Sequence, residues 1–583
     1  MNDINRKNAV FMVADMEVGA LGLRSRIADE LGGKCVLRQT LERLEKAQEV
    51  AEILVFCWGE QVGQVASLAA GTRAEVIGLK ERVGMNAYIP RRKWALESWR
   101  GGIHEATVYD EQVFTAEMVA IARERGVYSV VAVPAEAVFV DPKLLDEMLL
   151  HHHQHNETMR FTFSQAAPGL LGCVYRLDLL GDLVANGWHI GDSLAYNPAS
   201  PHMDYIIMDS NFRVETALWS SRFRYLADTQ RSFEVLERLW EGGGQPEEWS
   251  AREVVEHIEK KGLTSASLPR EIEIDVSMEP SIRIEGQEVT GKGQGNMSLN
   301  TFVSIMAGLG EYDDVCITIG GIGEPLAHRE LGAMIEAAKD AGVFGINIET
   351  DGLRLTGEIA EMLLESAVDV ISVHLDANSE EGYRLVKGAN RVDGGMDSRF
   401  RGNDRGGGND RGSGNDRGSG NDKEVFVGLG GYEQVVEQIE AFIDRRKAKG
   451  GKGPMVVPHL VKSRDTLAEM EAFYDRWLGR SGAAVIEGYN NYAGQVEDKA
   501  VMEMAPPERY ACGKPQRCMT IWVDGTVTTC RQDFKGDYAV GNVHNDRLSD
   551  IWRSAPMEAL RKAHADGEYG KFGLCGACSE WHR

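Results

Sequence analysis

The chain has 583 residues with 89 acidic and 64 basic side chains, giving a formal net charge of -25 and an isoelectric point near 5.1. That acid surplus argues against a nucleic-acid or membrane-surface role, since both need basic footprints, and leaves a small molecule or a protein as the expected partner. At 43% hydrophobic content a chain this long builds several cores, so three or four domains are expected. Met1 to Arg6 is polar and no apolar run reaches membrane-spanning length, so neither a secretory signal nor a spanning helix is read, and the expected location is the cytoplasm. Nine cysteines, an odd number with five clustered at one end, suit reduced thiols and a metal site better than disulfides.

From Lys7 to about Asp228 strand-like and helix-like stretches alternate. Asn8 to Ala14, Ile53 to Trp58, Glu75 to Leu79 and Tyr128 to Val133 read as strands, and Val36 to Ala47 and Ala116 to Arg125 as amphipathic helices. This predicts a doubly wound α/β domain over residues 1–228. Leu31-Gly32-Gly33-Lys34-Cys35-Val36-Leu37, followed by Gln39 to Leu44, resembles the sugar nucleotidyltransferases that activate acidic sugars with CTP. So does Glu136 to Pro142, where the resemblance makes Glu136 and Asp141 metal-binding candidates. The family's Arg-Gly-Ser-rich phosphate loop is replaced here by Asp15-Met16-Glu17-Val18-Gly19-Ala20-Leu21-Gly22, whose two acids repel phosphate. Arg24, Arg26 and Lys34 read as solvated basic residues around a turn rather than an anion site. His151-His152-His153-Gln154-His155 follows a helix and reads as its solvated end, since adjacent histidines do not share one helix face.

Residues 229–269 form a linker with its own helices, loosened at Gly242-Gly243-Gly244 and before Pro269. Six strand-like runs then recur over residues 270–505: Ile272 to Ser277, Val315 to Gly320, Phe344 to Thr350, Val368 to Leu375, Met455 to Val461 and Ala484 to Tyr489. Helical stretches between them favour a parallel, barrel-type architecture. The run is interrupted between Gly388 and Tyr432, where Gly-Asn-Asp recurs at Gly402, Gly408, Gly414 and Gly420. Residues 391–423 carry almost no apolar side chain and are expected to be a disordered surface insertion. An aspartate accompanies nearly every arginine there, which cancels most attraction for RNA.

After the second of these strands comes Gly320-Gly321-Ile322-Gly323-Glu324-Pro325. Glycines there allow close backbone approach to a ligand and equally suit tight turns. The segment resembles the radical SAM (S-adenosylmethionine) motif that holds the methionyl amino group, which makes Gly320, Gly321, Gly323, Glu324 and Pro325 cofactor-binding candidates. Thr350-Asp351-Gly352, Ser372 to Ala377 and Tyr383 to Gly388 match further positions of that family, implying a partial (β/α)6 barrel. Radical SAM enzymes also place Cys-x3-Cys-x2-Cys after the first strand. Here the first strand runs into Met278-Glu279-Pro280-Ser281, and no cysteine lies between Cys173 and Cys316. Without that triplet the resemblance supports architecture more than S-adenosylmethionine cleavage, which is the cofactor's chemistry.

Residues 506–583 carry Cys512-x17-Cys530-x44-Cys575-x2-Cys578, a four-thiolate pattern whose spacing alone does not separate iron-sulfur from zinc. With Trp522-Val523-Asp524-Gly525, Gly541-Asn542 and Ile551-Trp552, the segment from Tyr510 to Trp581 resembles the SPASM domain, the auxiliary cluster module of many radical SAM enzymes. The resemblance implies one [4Fe-4S] cluster on Cys512, Cys530, Cys575 and Cys578. It favours Cys512 over Cys518 as first ligand; Cys518 opens the strand-like run Met519 to Val523 and reads as a small core residue. The whole layout resembles a group of spirochaete SPASM proteins that lack the triplet. It implies a radical SAM/SPASM superfamily protein of unknown substrate, with a sugar nucleotidyltransferase-like enzyme or a non-enzymatic iron-sulfur scaffold as the other readings. The repeat tract yields the first prediction. Replacing Gly394 to Asp422 by a short Gly/Ser bridge is expected to shift the melting temperature by less than ~2 °C in a thermal scan, because closing such a loop costs little.

Overall fold

The computed structural model describes residues 6–82, 89–155, 157–241, 244–261, 267–279, 295–387, 431–502, 505–533 and 535–582. The expected repeat insertion lies outside these residues. In the N-terminal part, Ala9 to Met12 are fully buried, as a central strand covered on both faces requires. That strand, β1 (Asn8–Val13), sits in a six-stranded sheet with β2 (Glu52–Trp58), β3 (Glu75–Leu79), β4 (Ser129–Ala132), β5 (Phe161–Thr162) and β6 (Cys173–Arg176). The order is β3-β2-β1-β4-β6-β5; the first four run parallel, and β6 pairs antiparallel with both β4 and β5. The antiparallel pair at the edge went unread in the sequence because β5 is only two residues long.

Helices Gln230–Glu241 and Ala251–Lys261 occupy the predicted linker, yet Phe233, Val235, Leu236, Leu239, Val254, Val255 and Ile258 bury into the core of the N-terminal part. The segment is thus a wall of that part rather than a spacer. The histidine tract also departs from expectation. It lies within helix Pro142–Gln154 and at its end, with His152 fully buried and its Nδ1 2.8 Å from Thr162 Oγ1, while His153 Nε2 meets Asn8 Oδ1 at 2.9 Å. Burial pushes both imidazoles down, His152 to about 3 and His153 to about 4, so they are neutral and structural.

The second sheet has nine strands. Its parallel half comprises β7 (Glu271–Ile274), β8 (Cys316–Ile319), β9 (Gly345–Thr350), β10 (Val370–His374), β11 (Met455–Lys462) and β12 (Val485–Gly488). Each of the six predicted runs contains or overlaps one of them. Beyond β7 the sheet continues into the cysteine-rich tail. β13 (Cys518–Ile521) pairs parallel with β7, and β14 (Thr526–Thr528) and β15 (Ala539–Asn542) follow antiparallel. One core, from Ile272 in the barrel to Ile521 and Trp552 in the tail, fills the interior.

The N-terminal part docks on the barrel through Leu21, Leu96, Cys316 and Phe344 and through ion pairs Arg26–Asp313 (2.8 Å), Arg231–Asp314 (2.9 Å) and Lys93–Asp369 (2.8 Å). Arg26 is buried in this contact, against the expectation of a solvated residue, whereas Arg24, paired with Asp29, and Lys34, paired with Glu42, stay exposed as expected. Among the described residues no helix is long and apolar enough to cross a membrane.

Inside the N-terminal part Arg224 is buried between Glu111 (2.7 Å) and Asp228 (3.0 Å), with Arg92 also on Glu111 at 3.3 Å. Burial first, and Asp228 second, push the neighbouring Glu136 carboxyl up to about 8. A raised folded-state value means that the folded chain keeps a proton that the unfolded chain releases. Stability is therefore full below about 4.5 and falls as pH rises toward 8. Glu136→Gln is expected to flatten that decline, raising the melting temperature by a few degrees at pH 8 and changing it little at pH 5.

Candidate functional site

In the tail, the turn at Asp524-Gly525 closes the β13–β14 hairpin. Gly525 adopts φ 79°, and Asp524 Oδ1 accepts the Thr526 N–H at 2.9 Å. The hairpin delivers Cys530 just past β14, whereas Cys512 precedes the short helix Lys514–Arg517. Cys575 lies in helix Gly573–Ala577, and Cys578 caps its C-terminus. All four thiols line one cavity, shared with Arg509, Lys514, His564 and Trp581. The Arg509 guanidinium sits 4.6 Å from the Tyr569 ring centre and 5.6 Å from that of Trp581, and it donates to the Cys575 carbonyl at 2.5 Å. Cys578 Sγ accepts the Glu580 N–H at 3.3 Å.

Burial pushes the Cys530 thiol up to about 11 and that of Cys575 up to about 12, with the neighbouring sulfurs adding to both. Thiols raised in this way stay protonated until a cation replaces the protons. Lys514 and Arg509 oppose the shift and supply positive charge where a thiolate-bound centre would be anionic. The donor set, the N–H on sulfur and the flanking cations fit an iron-sulfur cluster. Among the described residues the ligand clusters closed to within 4.8 Å do not include these sulfurs. Cys518 stands apart, its Sγ 3.3 Å from Glu271 Oε2 on the barrel's first strand and outside the cavity lining.

A second cavity, with about 920 Å³ of atom-free space including its mouth, opens at the C-terminal ends of the barrel strands, the usual ligand position in parallel α/β folds. Gly320 and Gly321 line it; Gly323, Glu324 and Pro325 do not. Gly321 adopts φ 141° against Asp275, and a Cβ on Gly323 would lie 1.7 Å from the Ser277 carbonyl oxygen, so both positions require glycine. Glu324 is buried. It accepts Thr350 Oγ1–H at 2.7 Å and the Asp351 and Leu326 N–H groups at 3.0 Å each. Its carboxyl, raised to about 8 by burial and then by Asp351, ties the glycine segment to the next strand's turn. Half of the predicted glycine motif therefore faces the cavity and half braces it.

Several residues near this cavity were given no role in the sequence. Arg531 reaches from the tail to Glu349 (2.9 Å) and Glu273 (3.0 Å). His459 and Glu487 are in contact, and the His459 ring lies 5.1 Å from that of His374, centre to centre. A polar residue on a parallel strand was the signal available for those in the barrel, whereas Arg531 follows the antiparallel β14. The residues after β7 are Asp275-Val276-Ser277-Met278-Glu279, with no thiol. Cys316 is buried in β8 against the Lys93 carbonyl, so the residues present do not fit the triplet-bound cluster of the radical SAM motif.

A third cavity, in the N-terminal part, is lined by Asp15, Glu111 and Glu136 with no lysine or arginine among the described residues. Asp15 accepts from Trp58 Nε1 (2.6 Å) and Gln61 Nε2 (3.0 Å), and Arg82 pairs with both Asp15 and Glu17. Asp141 is not in this lining. Its carboxylate caps helix Pro142–Gln154 through the Lys143 and Leu144 N–H groups and accepts the Ala251 N–H at 2.8 Å. The two metal candidates of the nucleotidyltransferase reading are thus not brought together.

The chain matches the radical SAM superfamily over residues 287–394 and the SPASM iron-sulfur cluster-binding domain over residues 512–579. An uncharacterized protein of Treponema pallidum is 33% identical over 125 residues, which is 21% of this chain; the match spans about a third (34%) of that relative's length. Among solved structures, BtrN in complex with AdoMet and 2-DOIA is 17% identical with a TM-score of 0.32, covering 53% of this chain and 93% of that one. A cytidylyltransferase of Leptospira borgpetersenii is 17% identical with a TM-score of 0.30, covering 44% of this chain and 95% of that one. Two segments of the chain are therefore matched by family models, one by radical SAM and one, near the C-terminus, by SPASM. From the tail geometry, Cys512→Ala is expected to abolish bound iron after anaerobic reconstitution, whereas Cys518→Ala leaves it within about a tenth of the unaltered chain. Iron lost in Cys518→Ala and kept in Cys512→Ala would reverse the assignment.

Proposed function

We propose that this radical SAM/SPASM superfamily protein holds one [4Fe-4S] cluster on Cys512, Cys530, Cys575 and Cys578, and that its barrel binds a ligand without cleaving S-adenosylmethionine. The observation that carries this reading is the convergence of four thiols on one cavity inside the segment matched by an iron-sulfur cluster-binding domain. Such a cluster supplies one-electron transfer when bound. The chain's own contribution is to fix it: Glu580 N–H on Cys578 Sγ, the cations Lys514 and Arg509 against its negative charge, and Trp581 shielding the cavity.

Two observations support an inactive barrel with respect to S-adenosylmethionine. No thiol follows β7, so the iron that would bind the methionyl amine and carboxylate has no ligands there. Glu273 and Asp275 line the cavity beside the glycine segment, with Arg531 already paired to Glu273 and Glu349, so a free carboxylate meets like charge. Losing the metal contact places S-adenosylmethionine affinity in the millimolar range or weaker, a dissociation free energy of no more than about 4 kcal/mol. The expected result is about four irons and matching sulfide per chain. With dithionite, the reconstituted protein should produce no 5′-deoxyadenosine above a protein-free control. Turnover of S-adenosylmethionine that disappears in Gly321→Val would overturn the reading of the barrel, and about eight irons per chain would overturn the single cluster.

A further inference from the structure

Strands β10, β11 and β12 are adjacent and parallel, and they bring three ligand-type side chains to one face. His374 and His459 are register partners across β10 and β11. Glu487 is the register partner of Val461, two residues beyond His459 and therefore on the same side of the sheet. One donor atom from each of His374, His459 and Glu487 lies within 4.8 Å of the other two. The contact between His459 Nδ1 and Glu487 Oε1 accounts for two of the three. It leaves His374 Nε2 buried without a hydrogen-bond partner, and Glu349, its nearest carboxylate, is 3.9 Å away and engaged by Arg531. A buried ring nitrogen without a partner, beside an imidazole and a carboxylate, is the arrangement that a cation completes.

The surroundings favour positive charge. Glu273, Asp275, Asp376 and Glu487 line the cavity, whereas Arg531 is its one guanidinium among the described residues. Asp376 is held by Lys387 at 2.6 Å and Glu349 by Arg531. Glu487 meets His459, and no described salt bridge joins it to a lysine or arginine. Two imidazoles and one carboxylate select borderline ions such as Zn²⁺ or Fe²⁺ over Mg²⁺ or Ca²⁺, which take oxygen-only shells. Three protein ligands also leave coordination positions open, the hallmark of a site that meets water or a ligand rather than one that only braces the fold.

We propose that His374, His459 and Glu487 bind one divalent ion of the zinc or ferrous class at the barrel mouth, its open positions facing the cavity rimmed by Gly320 and Gly321. Drawing the three donors to bond lengths of about 2.0–2.2 Å takes side-chain shifts on the order of 1 Å. The ion gives an acid-lined cavity one point of attraction for a ligand oxygen, either carboxylate or carbonyl. The inference stands on barrel residues alone and is independent of what the tail cysteines hold.

The test uses the full chain, purified anaerobically with its tail centre loaded, exposed to about 1 μM free Zn²⁺ and freed of excess, with zinc and iron quantified by mass spectrometry. One zinc per chain is expected. His374→Ala and Glu487→Ala should each lower bound zinc by about tenfold or more while iron stays unchanged. Zinc should raise the melting temperature of the unaltered chain and not of the variants. X-ray absorption at the zinc edge provides a reading that does not depend on variant folding: nitrogen and oxygen neighbours near 2.0–2.1 Å support the site, and sulfur neighbours overturn it. No zinc uptake by the unaltered chain, or full uptake by both variants, also overturns it. Two zincs and no iron, with one zinc lost in the histidine variant, would keep this inference and overturn the iron-sulfur reading of the tail.

Discussion

The edge of a parallel sheet must be covered, and in this chain the cover is β13. The first barrel strand, β7, pairs with β8 on one side and with β13 on the other, placing Cys518 opposite Glu271 and Thr520 opposite Glu273, while Asp275 N–H donates to the Ile521 carbonyl at 2.8 Å. Left bare, that edge would expose a row of unpaired backbone groups. The pairing turns the tail from an appended module into a wall of the barrel. It also fixes register. Cys518 is committed to the β7 face, and the hairpin that follows carries Cys530 to the far side, where Cys512, Cys575 and Cys578 gather.

The same pairing brings the tail's chemistry next to the barrel's. Cys530 and Arg531 are consecutive, yet Cys530 lines the thiol cavity whereas the Arg531 guanidinium enters the barrel mouth between Glu273 and Glu349. The two residues open a turn closed by the Asp533 N–H on the Cys530 carbonyl at 3.1 Å, so neighbouring Cα atoms about 3.8 Å apart carry side chains into the two sites. Substitution at Arg531 therefore disturbs both, by freeing two acids in the mouth and by loosening the loop that presents Cys530.

Much of this was legible in the sequence, for identifiable reasons. Fully buried parallel strands read as apolar runs, and each predicted run overlaps an observed strand, with ends shifted by up to three residues, as at Ile272 to Ser277 against Glu271–Ile274. The four tail cysteines were legible because their spacing is unusual. Sites assembled across strands were not. His374, His459 and Glu487 are 85 and 28 residues apart in the chain and meet only through strand register. The histidine tract misled for the converse reason. Its residues are neighbours in sequence, but the helix spreads them over different contacts, Asp209 for His151, Thr162 for His152 and Asn8 for His153. Glu324 was read for the carbonyls of its turn, and the three hydrogen bonds of its buried carboxyl, which fix that turn, were not legible.

Charge separates retained architecture from retained chemistry in both α/β parts. A phosphate-binding loop requires amides and cations facing one point, and the N-terminal cavity offers Asp15, Glu111 and Glu136 there, with Arg82 consumed by Asp15 and Glu17. A barrel that chelates a methionyl group requires an iron held by three thiolates near its first strand, and this chain has Asp275 and Ser277 in that region. Each fold survives because its backbone requirements survive: Gly323 under the Ser277 carbonyl, Glu324 on the Asp351 turn, Asp141 on its helix. Once a cavity is acid-lined, the ligands it accepts are cations or groups that arrive with one, and the two imidazoles facing Glu487 sit where the barrel can hold such a charge.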